Sequence, residues 1–115
     1  MLQTILVVLT AAAGGPPHLS LAPVAAAEDC PARAEAIGAV LEEAGTEVLA
    51  IRCAETLLRV TPYVPGAGPD DFVHRWRVEV GDEAVELAPL AEGEACEPAE
   101  GVVCAVSAQS VSAPG

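Results

Sequence analysis

Lysine is absent from this chain, and five arginines face 17 acidic residues, for a formal net charge of −12. That balance argues against nucleic acid or an anionic membrane surface as partner, because both are bound through clustered positive charge. It leaves no amine for Schiff-base chemistry. It favours solubility, a cationic partner or a saline habitat. Aromatic residues are almost as scarce: Tyr63, Phe72 and Trp76 stand alone, so the core must come from Val, Leu, Ile and Ala. The four cysteines contain no CxxC pair, and their spacing suits no usual zinc site. Nor does any apolar run reach the roughly 18 residues that span a bilayer, since Gly14-Gly15-Pro16-Pro17 interrupts the longest one.

That longest run, Leu2–Ala13, is the most directive feature present. It ends in small residues and leads through Pro16-Pro17 and Pro23 to Ala25-Ala26-Ala27, just before Glu28-Asp29-Cys30. The layout is that of a secretory signal peptide over 1–27, cut after Ala27, with a second small-residue site at Ala13. The alternatives are a buried helix or an uncleaved anchor. Positive charge before the apolar stretch is missing, and the segment Gly14–Ala27 is long for a cleavage region. Export to the periplasm or the exterior is the expectation, with no stable membrane association after cleavage. In such an oxidising compartment four cysteines read as two disulfides.

Residues 28–106 carry the pattern of one small domain. Over 31–44, Ala34, Ile37, Leu41 and Ala44 recur at helical spacing, and Val40 widens the stripe. Pro31 suits the first helical position and Gly45 the stop. Gly38 costs about 1 kcal/mol against Ala inside a helix, so its expected role is close approach to a sheet. Strand alternation follows. Residues 47–53 and 56–61 read as a hairpin about Ala54-Glu55, with Ile51 opposite Leu58 and Leu49 opposite Val60. Residues 72–80 and 83–87 read as a second hairpin about Gly81-Asp82, with Val85 and Leu87 inward. Residues 62–71 form a Pro/Gly loop, 101–106 a last short strand, and 107–115 a flexible tail. The expected fold is α+β: one N-terminal helix packed on an antiparallel sheet of four or five strands, stapled by two disulfides.

Geometry selects among the three possible cysteine pairings. A helix of about 14 residues rises roughly 21 Å, and a strand of about seven residues returns roughly 23 Å. Cys53 therefore comes back to Cys30. Cys96 and Cys104 flank a turn-like Glu97–Gly101 and can meet directly. Loop-closure entropy makes the two links worth about 3.4 and about 2.6 kcal/mol.

Chemistry-bearing residues are few. His74 is the one histidine beyond residue 27, on the side of Phe72, Trp76 and Val78, where a lone histidine is usually structural. The serines beyond residue 27 (Ser107, Ser110, Ser112) fall in the expected tail, away from a triad role. Paired cysteines leave no thiol nucleophile. Asp70-Asp71 and Asp82-Glu83 lack the spacing of a calcium loop. No cofactor or metal is expected, and no enzyme activity. The less ordinary feature is that Arg52, Arg59, Arg75 and Arg77 fall on one sheet face, away from the helix, in the expected register. Such a patch suits a carboxylate or phosphate, because a guanidinium fork binds bidentately. The plain alternative is cross-strand pairing with Glu47, Glu79 and Glu86.

The helix, the alternating strands and the hairpin HRWRVEVGDEAVEL together resemble PepSY-type domains of exported bacterial proteins, over residues 31–88. The likeness lies in element order and one hairpin rather than in a motif, and no family is assigned on it. It implies a non-catalytic binding or inhibitory module. The functional expectation is such a module, with a protein or an anionic small molecule as ligand. The alternative is a small secreted hydrolase or metal-dependent enzyme using His74 and nearby carboxylates.

Overall fold

The run ILVVL is rich in β-branched residues and has no polar face, which suits a strand covered on both sides. In the computed structural model, which describes residues 3–12, 15–57, 59–61, 72–82, 84–91 and 93–111, it is the heart of strand β1, Gln3–Thr10. β1 pairs antiparallel with β2, His18–Val24, on one side and with β3, Val48–Thr56, on the other. A short 3-10 turn, Ala27–Asp29, leads into the helix α1, Cys30–Glu43. β4 (His74–Val80), β5 (Val85–Pro89) and β6 (Val102–Ser107) complete the chain. The segment expected as an export leader thus contributes two strands to the sheet of the full chain.

The fold is a small α+β domain, but its sheet has six strands in the order β3-β1-β2-β6-β4-β5. It is mixed rather than antiparallel, because β2 and β6 run parallel through His18 and Val106. The expectation of four or five antiparallel strands is corrected on both counts. The N-terminal residues add β1 and β2, and β6 inserts between β2 and β4. The hairpin about Ala54-Glu55 does not form. Neither residue favours the positive φ of a two-residue turn, and β3 runs on through both to pair with β1. Leu58, one of its proposed contacts, lies outside the described residues, as do residues 62–71 and 112–115. The second hairpin is present, with Val80 opposite Val85.

Two apolar layers result from the alternation in β1. Ile5, Val7 and Leu9 face a core shared with Leu19, Leu21, Trp76 and Val78, while Leu6 and Val8 face α1. Most of the buried hydrophobic side chains therefore belong to β1 and β2. α1 lays Ala34, Ile37 and Leu41 against Leu6, Ile51 and Cys53. Val40, expected to widen that stripe, is exposed. Gly38 does let the helix sit close: a Cβ there would lie 3.4 Å from Ile51 Cδ1. Gly45, at φ +75°, ends the helix, with Gly45 N–H donating to Glu42 O and Thr46 N–H to Leu41 O. This double bond satisfies carbonyls that the helix end would leave orphaned.

Both disulfides form as the geometry required. Cys30–Cys53 ties the start of α1 to β3, and Cys96–Cys104 ties the segment before β6 to its middle, with Cα separations of 6.1 and 6.0 Å. The edge strands β3 and β5 come into contact, so the sheet is curled. Arg52 helps to draw them together, its Nε donating to Gly81 O at 3.4 Å.

The segment expected as a tail begins inside the fold. Ser107 is the last residue of β6 and is fully buried, and Gln109 is 2 % exposed. Gln109 Oε1 accepts from Leu21 N–H at 2.8 Å, and its Nε2 donates to Leu21 O at 2.6 Å and Thr61 O at 2.8 Å. Since β2 and β6 share one bridge pair, this side-chain amide extends the junction as a peptide group would. Trp76 Nε1 donates to Gln109 O at 3.1 Å, and Gln109 N–H to Ser107 Oγ at 3.0 Å. Burial of this polar cluster is tolerated because its polar groups are paired.

Candidate functional site

Three chain segments meet at the end of the sheet where β4 begins. The start of β4, the exit from β5 and the stretch after β6 enclose an open groove of about 730 Å³. Leu90 N–H donates to Arg75 O at 2.9 Å, which fixes the β5 exit against β4. Val111 bridges to Val60, and Thr61 N–H donates to Ser110 O at 2.8 Å, which fixes the third wall. The walls are largely apolar, with Val73, Pro89, Leu90 and Val111 among them. Val73 and Val111 are exposed. His74 and Arg75 are the titratable groups among the described lining residues.

His74 keeps the expected side of β4, opposite Ser107, but it is exposed rather than packed in the core. It is the first residue of its strand, one position pair beyond Trp76, where the core has ended. Ser110 lines the same groove, yet no hydrogen bond joins it to His74 among the described residues. Ser107 Oγ is occupied by Gln109 N–H. A serine–histidine relay needs the two groups in contact and a third to orient the ring. Among the described residues no group of three His, Cys, Asp or Glu is placed to hold a metal ion.

The four arginines do not share a face. Arg52 lies opposite Val7, on the core side of β3, and its Nη1 donates to Ile51 O at 2.9 Å. Arg59 follows β3 and donates from Nη1 to Leu57 O at 3.5 Å. Arg75 and Arg77 do lie together, on the face of β4 opposite Trp76 and Val78. The reason is topological: β1, β2 and β6 intervene between β3 and β4, so a register built on adjacent hairpins fails. Arg77 Nη2 meets Glu79 Oε1 at 3.4 Å, along its own strand rather than across strands as the pairing alternative had it. Both side chains are more than a third exposed, so the pair adds little stability. Arg75 is different. It is exposed, and its guanidinium has no hydrogen bond or ion pair among the described residues.

A second cleft, of about 310 Å³, opens where β3 and β5 approach, between Glu55 on one side and Glu79 and Glu86 on the other. Glu79 and Glu86 stand directly opposite each other across β4 and β5, a repulsive arrangement that Arg77 relieves from within the same cleft.

Gln109 is the residue that the sequence pattern did not reveal. It sits among Ser, Ala and Val in a segment with tail-like composition, and only the placement of Leu21 and Thr61 gives its amide a purpose. No known protein family, curated protein or solved structure matches this chain.

Proposed function

We propose that this protein is a small, non-catalytic binding module that works in the periplasm or outside the cell and takes an anionic ligand at the His74–Arg75 groove. Arg75 carries the reading. In a chain of net charge −12, Arg75 is exposed, its guanidinium has no partner among the described residues, and the residue lines an apolar groove. An unneutralised fork beside apolar surface suits a carboxylate or phosphate group attached to an apolar body. The two disulfides fit an oxidising compartment, and among the described residues no helix is long and apolar enough to cross a membrane.

The hydrolase alternative needs His74 beside converging carboxylates, and none of the described groove residues is acidic. The test uses the full oxidised chain as bait on a periplasmic or extracellular fraction, in wild-type form and as Arg75→Glu with Arg77→Glu. Arg75 is exposed and its reversal should barely change stability, whereas Arg77→Glu adds a carboxylate beside Glu79 and Glu86, so a urea titration of the double variant confirms that it is folded before capture is compared. Ligand capture should vanish in the double variant and fall with salt, since exposed charges are screened beyond about 8 Å at physiological ionic strength. A ligand held equally by both forms would place binding elsewhere.

A further inference from the structure

We infer that the groove at the head of β4 takes a small amphiphilic monoanion, a carboxylate carried on a short apolar body; this rests on the reading of the groove as an anion site. The volume, about 730 Å³, falls within the usual range for small-molecule sites. The walls divide the ligand into two parts. Val73, Leu90 and Val111 offer apolar surface, and Val73 and Val111 expose theirs to solvent. Arg75 supplies a fork whose donors are otherwise unused, while His74, the next residue back along β4, leaves the other face of the strand. A cation is disfavoured by the guanidinium. A second copy of this chain is disfavoured by its own charge of −12. A neutral apolar molecule would leave the guanidinium unpaired on the groove rim and gain only from burial. The carboxylate satisfies the fork while its body covers the exposed valines.

Sodium decanoate and decan-1-ol are the probes, titrated into the full oxidised chain while methyl resonances are followed. Decanoate should give saturable shifts at Val73, Leu90 and Val111, with at least tenfold tighter binding than decan-1-ol. Arg75→Glu should weaken decanoate at least tenfold. Arg33→Glu, which makes the same change in net charge on the exposed side of α1, should leave its affinity within twofold. Val73→Asp replaces an exposed side chain, so the fold is kept while the apolar wall is lost, and decanoate binding should fall with it. Equal affinity for the alcohol and the acid, equal effects of Arg75→Glu and Arg33→Glu, or shifts confined to other regions would overturn the inference. If decanoate gives no saturable shift while Arg75→Glu with Arg77→Glu still abolishes capture of a native ligand, the amphiphile inference falls and the binding-module reading stands. If that ligand is a protein, decanoate should displace it from the groove; failure to do so also sinks the amphiphile. If neither decanoate nor native capture depends on Arg75, both readings fall.

Discussion

Replacing Gln109 with Ala removes an amide that is 2 % exposed and makes contacts to Leu21 and Thr61 that no neighbouring group can replace. Leu21 is fully buried, so its N–H and C=O lose their partners together. Each buried, unsatisfied polar group costs about 1–3 kcal/mol. The Thr61 carbonyl is nearer solvent and adds less. The truncation also leaves a small void. Water entering that void would recover part of the loss, which sets the expected destabilisation at about 2–5 kcal/mol. A domain of this size has a total stability of about 5–15 kcal/mol, so the effect would be large. The backbone bond from Trp76 Nε1 to Gln109 O is unaffected by the substitution, so Trp76 fluorescence still reports the native state. Urea titration would then show the midpoint lowered by about 1–2.5 M for a urea slope near 2 kcal/mol/M. Gln109→Leu keeps the volume and loses the same bonds, and should cost a similar amount. If Gln109→Ala stays within about 0.5 kcal/mol of wild type, a value ordinary for surface changes, the side chain is not the stitch between β2 and β6.

Other outcomes follow from the same architecture. Removing Cys30–Cys53 by double alanine substitution should destabilise more than removing Cys96–Cys104, because the first closes 23 residues and the second eight, and because Cys30 is fully buried; paired urea titrations measure the order. Gly38→Ala should hold or raise stability by up to about 1 kcal/mol, since its Cβ meets Ile51 at ordinary contact distance, whereas Gly38→Ile should overpack by about 1–3 kcal/mol; thermal melts compare the two. A chain starting at Glu28 lacks β1 and β2, and should show neither the native circular dichroism nor a buried Trp76; recovery of both would mean that the remaining strands fold without them.

The sequence made some of this legible. Helical spacing located α1 to within a residue at each end, and Gly45 marked its stop. The helix-up, strand-down argument found Cys30–Cys53 and the short turn-like segment found Cys96–Cys104, because a local excursion and return involve few unknowns. Gly81-Asp82 marked the second hairpin. The differences in sheet order and arginine placement have a shared cause in long-range pairing. An apolar run of about ten residues with small residues after it satisfies the pattern of a leader and that of a two-sided strand alike. Once β1 and β2 enter the sheet, β3 pairs with β1 rather than with its own sequel, and β6 is drawn to the middle. The arginine face was inferred from those local pairings, so it dissolved with them: only Arg75 and Arg77 stayed together, and only Arg75 stayed unpaired. Gln109 was illegible for a further reason. Its partners are 88 and 48 residues away, and a buried amide has no local pattern.

The sheet, the groove and the role of Gln109 all depend on β1 being its interior. Native-state hydrogen exchange on the full oxidised chain tests this most directly. Ile5–Leu9 are buried between two neighbouring strands, and their amides should be among the slowest to exchange, opening only with global unfolding. Rapid exchange across Ile5–Leu9 in a chain whose β4 amides remain protected would contradict the account.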